Sequence, residues 1–428
     1  MAVLARDPDP GHAPGDEPLP VVGELPEGLH GCLLQAATHP LAAGPGVPHG
    51  HAGPHVFHGI RLEGGVARWH RAALPVRRHR PFGPVPALAP TVWAPDAAGG
   101  DEPAYITLAR PVRTAGSAEW HTVAAYPGLG HAEHLVAGPD GGVLRARPFA
   151  LDGAPLMHAV ALTRRYVVVL DLPVVHHRAA ALVGARFPYA WRPGRPARIG
   201  LLPRDPGEDA EPRWFPIEPC YVFDVVNAYD DGGTVVLDAV RHARAFDDPD
   251  PGAVPPPRVH RWTLDLDTGA VADRAIPQAG RTAVVDERVF GHRHRYLFGL
   301  TGGAADVRLC RHDLRTGVTT VRGLGGGPVS RPLFVPDAGR AAEGAGWVVV
   351  LTEDPARRRG HLLAFDALDI AGPPRAVVRL PLGLPVTRRA VWLPGHPAPV
   401  PGPDRETSAD RRPAPRRAPA EGEGPWIR

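Results

Sequence analysis

Three stretches of this chain read alike: Trp262-Thr-Leu-Asp265-Leu-Asp-Thr-Gly269, Arg311-His-Asp313-Leu-Arg-Thr-Gly317 and Ala364-Phe-Asp366-Ala-Leu-Asp369. Their leading aspartates lie 48 and 53 residues apart. In each, a β-prone run enters an Asp-x-x-Thr-Gly turn, or a remnant of one, and a second run leaves it. The Asp side chain satisfies backbone N–H groups of the turn and the glycine accepts a left-handed conformation, so the motif marks a hairpin. A hairpin that recurs about every fifty residues is what a propeller blade of four antiparallel strands needs.

The intervals hold strand-sized apolar runs: Tyr166-Val-Val-Val-Leu170, Thr234-Val-Val-Leu237, Trp347-Val-Val-Val-Leu351, His361-Leu-Leu-Ala-Phe365 and Ala376-Val-Val-Arg-Leu380. Few segments keep a helical period. Fifty glycines and 54 prolines among 428 residues break helices and favour turn-dense β structure. The fold class expected is all-β. Residues 1–20 and 395–428 are rich in Pro and charge without apolar periodicity, which predicts disordered tails around one domain at 21–394.

The 48 basic residues are all Arg and face 45 acidic ones, a formal net charge of +3, so nucleic acid is not expected as a partner. The three cysteines, Cys32, Cys220 and Cys310, are an odd number and far apart, which points to a reducing compartment. The N-terminus lacks an apolar signal segment and no run is long enough to span a bilayer, so a cytoplasmic location is expected. His49, His51, His55 and His58 crowd one stretch, but no Cys or acid accompanies them; Gly/Pro-rich His49 to His55 reads as a loop and His58-Gly-Ile-Arg61 as part of an early strand. There is no Gly-x-Ser-x-Gly, and the glycine runs lack the Lys of a phosphate cradle.

Several stretches, in order, resemble the carotenoid cleavage oxygenases, in particular the bacterial branch with the lignostilbene dioxygenases and apocarotenoid oxygenases. They are Leu156-Met-His158, Tyr166 to Pro173, Phe187-Pro-Tyr-Ala-Trp191, Ala197 to Arg204, Arg213 to Phe223 running into Asn227-Ala-Tyr-Asp-Asp231, Asp286-Glu-Arg288, His294-Arg-Tyr296 and Arg331-Pro-Leu-Phe-Val335. The resemblance implies a seven-bladed β-propeller with a loop cap, shortened here in an early blade. It also implies a non-haem Fe(II) on the axis, held by four histidines from different blades. With O2 that iron splits a carbon–carbon double bond of a polyene or stilbene into two carbonyls. Neutral imidazoles leave the metal its full charge, and outer glutamates orient each ring.

Position by position, the resemblance retains one imidazole, His158. The family's Val-Phe-His reads Val222-Phe223-Asp224 here, and the Phe-His-Gly histidine falls at Arg389. The first ligand belongs to an Ala-His-Pro segment, for which Ala125-Tyr126-Pro127 is taken as the match, making Tyr126 the replacement. Two outer glutamates correspond to Arg281 and Arg331. A dication about 5 Å from one guanidinium meets roughly 7 kcal/mol of repulsion at an effective dielectric near 20, and Arg does not shed its proton.

The expectation is therefore a family member with a degraded iron site, Fe(II) absent or weakly held, and a polar or anion-accepting cluster on the axis with Asp224 paired to an arginine. Its partner would be an apolar polyene, stilbene or apocarotenoid-like molecule, with Arg389, Arg281 and Arg331 suited to a carboxylate. Peripheral membrane contact is a further implication of the family. Two alternatives stand beside it: an active dioxygenase with a rebuilt metal site of His158, Asp224 and Tyr126, and a structural propeller scaffold.

Overall fold

The computed structural model describes residues 18–38, 55–73, 92–93, 106–139, 141–183, 185, 187–205, 211–247, 254–354, 359–380 and 390–395. These residues form antiparallel strands in seven sheets, six of four or five strands and one two-stranded ribbon. The fold is the expected β-propeller. Two blades show the repeating unit. One runs outward as Tyr221–Asp231, Thr234–His242, Arg258–Asp265 and Val271–Ala275, and the next as Thr282–Val284, Tyr296–Thr301, Val307–Asp313 and Thr319–Gly325. The ribbon pairs Val174–His176 with Tyr189–Trp191 and interrupts a blade between its second and third strands.

The recurrent aspartates close the same turn in successive blades, at the end of the third strand. Asp265 Oδ1 accepts the N–H groups of Asp267 and Thr268 at 3.0 and 2.7 Å, and Asp313 Oδ1 those of Arg315 and Thr316 at 2.9 and 3.4 Å. Asp366, where the motif is eroded, accepts from Leu368 at 2.9 Å. Gly269 and Gly317 stand at φ +76° and +73°, the left-handed region that a side chain resists.

The apolar runs at 166–170, 234–237 and 347–351 are second strands, and they are continuous rather than alternating because a neighbouring blade covers each face. Val167, Val168 and Val169 are buried, as are Val348 to Leu351. The core is accordingly not central: its main clusters each join two adjacent blades. One packs Val168, Ile199 and Phe215 against Val235, Leu237 and Trp262, and another packs Phe298 and Leu309 against Val348 and Phe365. Outer strands have no such neighbour, and Val271–Ala275 is largely exposed.

The ring is closed by pairing the last strand with one of the first, Gly31–Thr38 with Ala390–Pro394, in register from Gly31↔Pro394 to Gln35↔Ala390. Val21–Gly23 adds to the outer edge of Ala376–Arg379. Leu19 and Pro20, on the tail side of the boundary drawn at residue 20, bond to Ala67 and Arg379 at 2.8 and 2.9 Å. Tail residues 1–17 and 396–428, residues 49–54 of the expected His49 to His55 loop, and residues 94–105 of the expected early-blade shortening at 92–120 lie outside the described residues. Cys32, Cys220 and Cys310 are all free thiols. No helix among the described residues is long and apolar enough to cross a membrane.

Candidate functional site

The inner strand of each blade meets the inner strand of the next, so residues that open these strands converge. Val160–Leu162 touches Tyr221–Asp231, which touches Thr282–Val284, and Leu333–Pro336 touches Ala390–Pro394. The segment Leu156-Met157-His158 leads into the first of these and is held from both sides. Thr107, fully buried, donates to the Pro155 carbonyl at 3.3 Å and accepts Met157 N–H at 3.2 Å, while the Tyr221 hydroxyl donates to the Leu156 carbonyl at 3.1 Å. His158 itself is buried.

Asp224 owes its direction to a bulge. The pairing with Thr234–His242 slips between Val222↔Arg241 and Asp224↔Val240, leaving Phe223 as the extra residue. A bulge re-aims the side chains around it. Here the Phe223 carbonyl sits 3.0 Å from His158 Nδ1. A carbonyl only accepts, so Nδ1 carries the hydrogen. The His158 ring stands edge-on to Phe223 at 5.0 Å between centroids.

Two guanidiniums meet the carboxylate. Arg110 Nη1 and Arg331 Nη1 both donate to Asp224 Oδ1, at 2.8 Å each. Arg110 follows the strand Ile106–Leu108, and its backbone N–H donates to the His158 carbonyl at 2.9 Å. Arg331 precedes Leu333–Pro336 and also donates through Nη2 to the Ala283 carbonyl at 3.3 Å on the neighbouring inner strand. Its place is set by Ser330, whose N–H and hydroxyl oxygen both bond Leu351 at 2.9 Å. Five blades therefore contribute to one cluster. Burial by itself would raise the Asp224 pKa, but Arg331, Arg110 and His158 outweigh it and hold the carboxyl below the usual carboxylate range. Burial, opposed by Asp224, and the adjacent Arg110 lower the pKa of Arg331.

The cluster is enclosed by the ring of blades and yet not sealed. Asp224 keeps 25% of its side-chain surface accessible, Arg110 27% and Arg331 20%. Each of the three side chains therefore keeps part of its surface open to solvent.

Of the residues marked in the sequence, His158, Asp224 and Arg331 come together. Arg281 opens the inner strand Thr282–Val284, with its N–H on the Leu300 carbonyl at 2.8 Å. Arg389 lies outside the described residues. Tyr126 is in the turn after Trp120–Ala125, and its hydroxyl donates to Glu133 at 2.6 Å. Burial and Glu133 raise its pKa. The residue that does join the cluster, Arg110, was not singled out in the sequence. Its signal is the tripeptide Ala109-Arg110-Pro111, which keeps both flanks of an Ala-His-Pro segment and changes only the middle.

Known proteins share this fold. The family model described as retinal pigment epithelial membrane protein matches residues 99–394. A carotenoid cleavage oxygenase of Mycobacterium tuberculosis is 31% identical over 88% of this chain and 94% of its own length. The chain belongs to the carotenoid cleavage oxygenase family. An apocarotenoid-15,15'-oxygenase of Synechocystis is 27% identical over 59% of this chain and 55% of that protein. Among solved structures, cobalt-substituted Synechocystis apocarotenoid oxygenase superposes with a TM-score of 0.72 at 20% identity, covering 89% of this chain and 96% of that one. Pseudomonas brassicacearum lignostilbene dioxygenase gives 0.71 at 21%, covering 88% and 95%.

Carotenoid cleavage oxygenases use Fe(II), and the residues gathered here do not suit that ion. Among the described residues no group of three or more His, Cys, Asp or Glu side chains is placed to hold a metal. Asp224 Oδ1 is already shared by two permanent cations. In the candidate set of His158, Asp224 and Tyr126, the Tyr126 hydroxyl donates to Glu133.

Proposed function

We propose that this chain is a carotenoid cleavage oxygenase homologue that has given up iron-dependent alkene cleavage and binds an apolar molecule of polyene, stilbene or apocarotenoid type in its central space. The observation that carries this reading is the pair of 2.8 Å bonds from Arg110 and Arg331 to Asp224. On the family's segment pattern, Arg110 stands at the first ligand position, in Ala109-Arg110-Pro111, in place of the Tyr126 taken from the sequence; His158 stands at the second and Asp224 at the third. Two of these three positions are closed into an ion cluster whose net charge is positive. Such a cluster repels a dication and needs none, since the guanidiniums already compensate the carboxylate.

The reading is tested with purified protein given Fe(II), O2 and a stilbene or an apocarotenoid. The expected outcome is substoichiometric iron by elemental analysis after desalting and no aldehyde product. Stoichiometric iron with aldehyde release would establish the alternative, an oxygenase with a rebuilt site.

A further inference from the structure

We infer that the ligand is an amphipathic monocarboxylate, its apolar tail against the aromatic wall beside Phe223 and its carboxylate on the free edge of Arg110; this rests on the proposed reading of the central space as a ligand site.

The cluster is over-supplied with cations. Asp224 brings one negative charge, and Arg110 and Arg331 bring two positive ones to the same oxygen. Arg110 spends only Nη1 on that oxygen; Nε and Nη2 have no hydrogen-bond partner among the described residues, and the side chain is 27% accessible. Nε and Nη2 form a fork that matches the two oxygens of a carboxylate, and a guanidinium away from bulk water binds such a partner bidentately. Arg331 does not compete for this role. Its Nη2 is committed to the Ala283 carbonyl and its Nε is buried without a partner.

The tail follows from what borders the charged group. Phe223 adjoins Asp224 in sequence and stacks edge-on with Tyr221 at 4.7 Å and with Phe246 at 5.6 Å between centroids. Phe246 meets Phe187 at 5.0 Å. Phe187, Phe223 and Phe246 are only partly buried. Phe246 is held at φ +55°, a conformation a bulky residue avoids, with its ring in this wall. Phe223 joins this aromatic wall to Asp224, which Arg110 bonds, and a wall tied in that way to a guanidinium fork suits a conjugated tail ending in an acid. A neutral polyene would leave the fork unpaired, and a small inorganic anion would leave the wall unused.

The test compares two probes of equal size, trans-stilbene-4-carboxylic acid and its alcohol, 4-(hydroxymethyl)-trans-stilbene. Both are titrated against the full chain by calorimetry. The acid is expected to bind at least about tenfold more tightly, with its advantage shrinking at high salt. In Arg110→Gln, where Asp224 keeps Arg331, the acid's advantage is expected to vanish while the alcohol's affinity holds; Arg110→Lys retains charge without the fork and falls between. Equal affinities in the wild type overturn the inference, as does an acid preference that survives Arg110→Gln. The wild-type ratio is decisive even if the variants fail to fold. Binding of both probes alike sinks only the head-group assignment, whereas binding of neither sinks the ligand site as well.

Discussion

Asp224 lies between two guanidiniums in the middle of the ring, and the balance of charge there decides what each substitution does. Asp224→Ala leaves Arg110 and Arg331 facing one another without a counter-charge. It is expected to destabilise the protein by about 3–5 kcal/mol in urea denaturation, the range for breaking an enclosed ion pair from one side. Removing all three charges as Arg110→Met, Asp224→Leu, Arg331→Met is expected to be far milder, because no charge is then left stranded. The pH dependence has a definite sign. The folded pKa of Asp224 is depressed, so its stabilisation is present above the ordinary Asp value of about 4 and is lost as pH falls further. Of this cluster, Asp224, His158 and Arg331 were legible from the segments around them. Arg110 was not, because Tyr126 also sits between Ala and Pro, and a tripeptide does not say which of two side chains turns to the axis. The backbone bond from Arg110 to His158 brings Arg110 beside that imidazole.

At the scale of strands, a pair of histidines shows what neighbouring elements do to one another. His121 on Trp120–Ala125 and His134 on His131–Ala137 are buried, their rings stacked 14° from parallel, with His121 Nδ1 3.0 Å from His134 Nε2. Arg204 Nη2 donates to His121 Nε2 at 3.5 Å, so His121 Nδ1 carries the hydrogen and donates to His134. Burial, then Arg204 and Arg145, lower the His121 pKa to about 4. Burial, then His121, lower that of His134 to about 3. Both are neutral when folded and gain protons on unfolding near pH 6.5. Stability is therefore expected to decline as pH falls below 6.5 and to keep declining to about 4, read as melting temperature against pH, and the double variant His121→Gln, His134→Gln should flatten that slope. The strand runs and Asp turns were legible because each is enforced by residues within a few positions. The contact between these two histidines was not, because it depends on strand register and twist rather than on either sequence alone.

For the molecule as a whole, a ring of blades needs something to tie its inner strands together. The cluster links inner segments around Arg110, His158, Asp224, Ala283 and Arg331, which come from five blades. If these bonds supply the tie, exhaustive chelation is expected to leave the melting temperature unchanged, whereas a fall on chelation that is reversed by Fe(II) would show that a metal holds the centre. The amino-acid order was enough to specify blades, their hinge turns and their membership of this family, because hairpins and apolar runs are local and repeat. It also shows charged side chains, Asp224 and Arg331, within segments that resemble the family's. What those charges do to each other belongs to the closed ring alone. Arg331 and Arg110, 107 and 114 positions from Asp224 in the chain, reach the same oxygen of its carboxylate only when the blades have closed around it. A Coulomb interaction between them depends on that distance, and no stretch of sequence contains it.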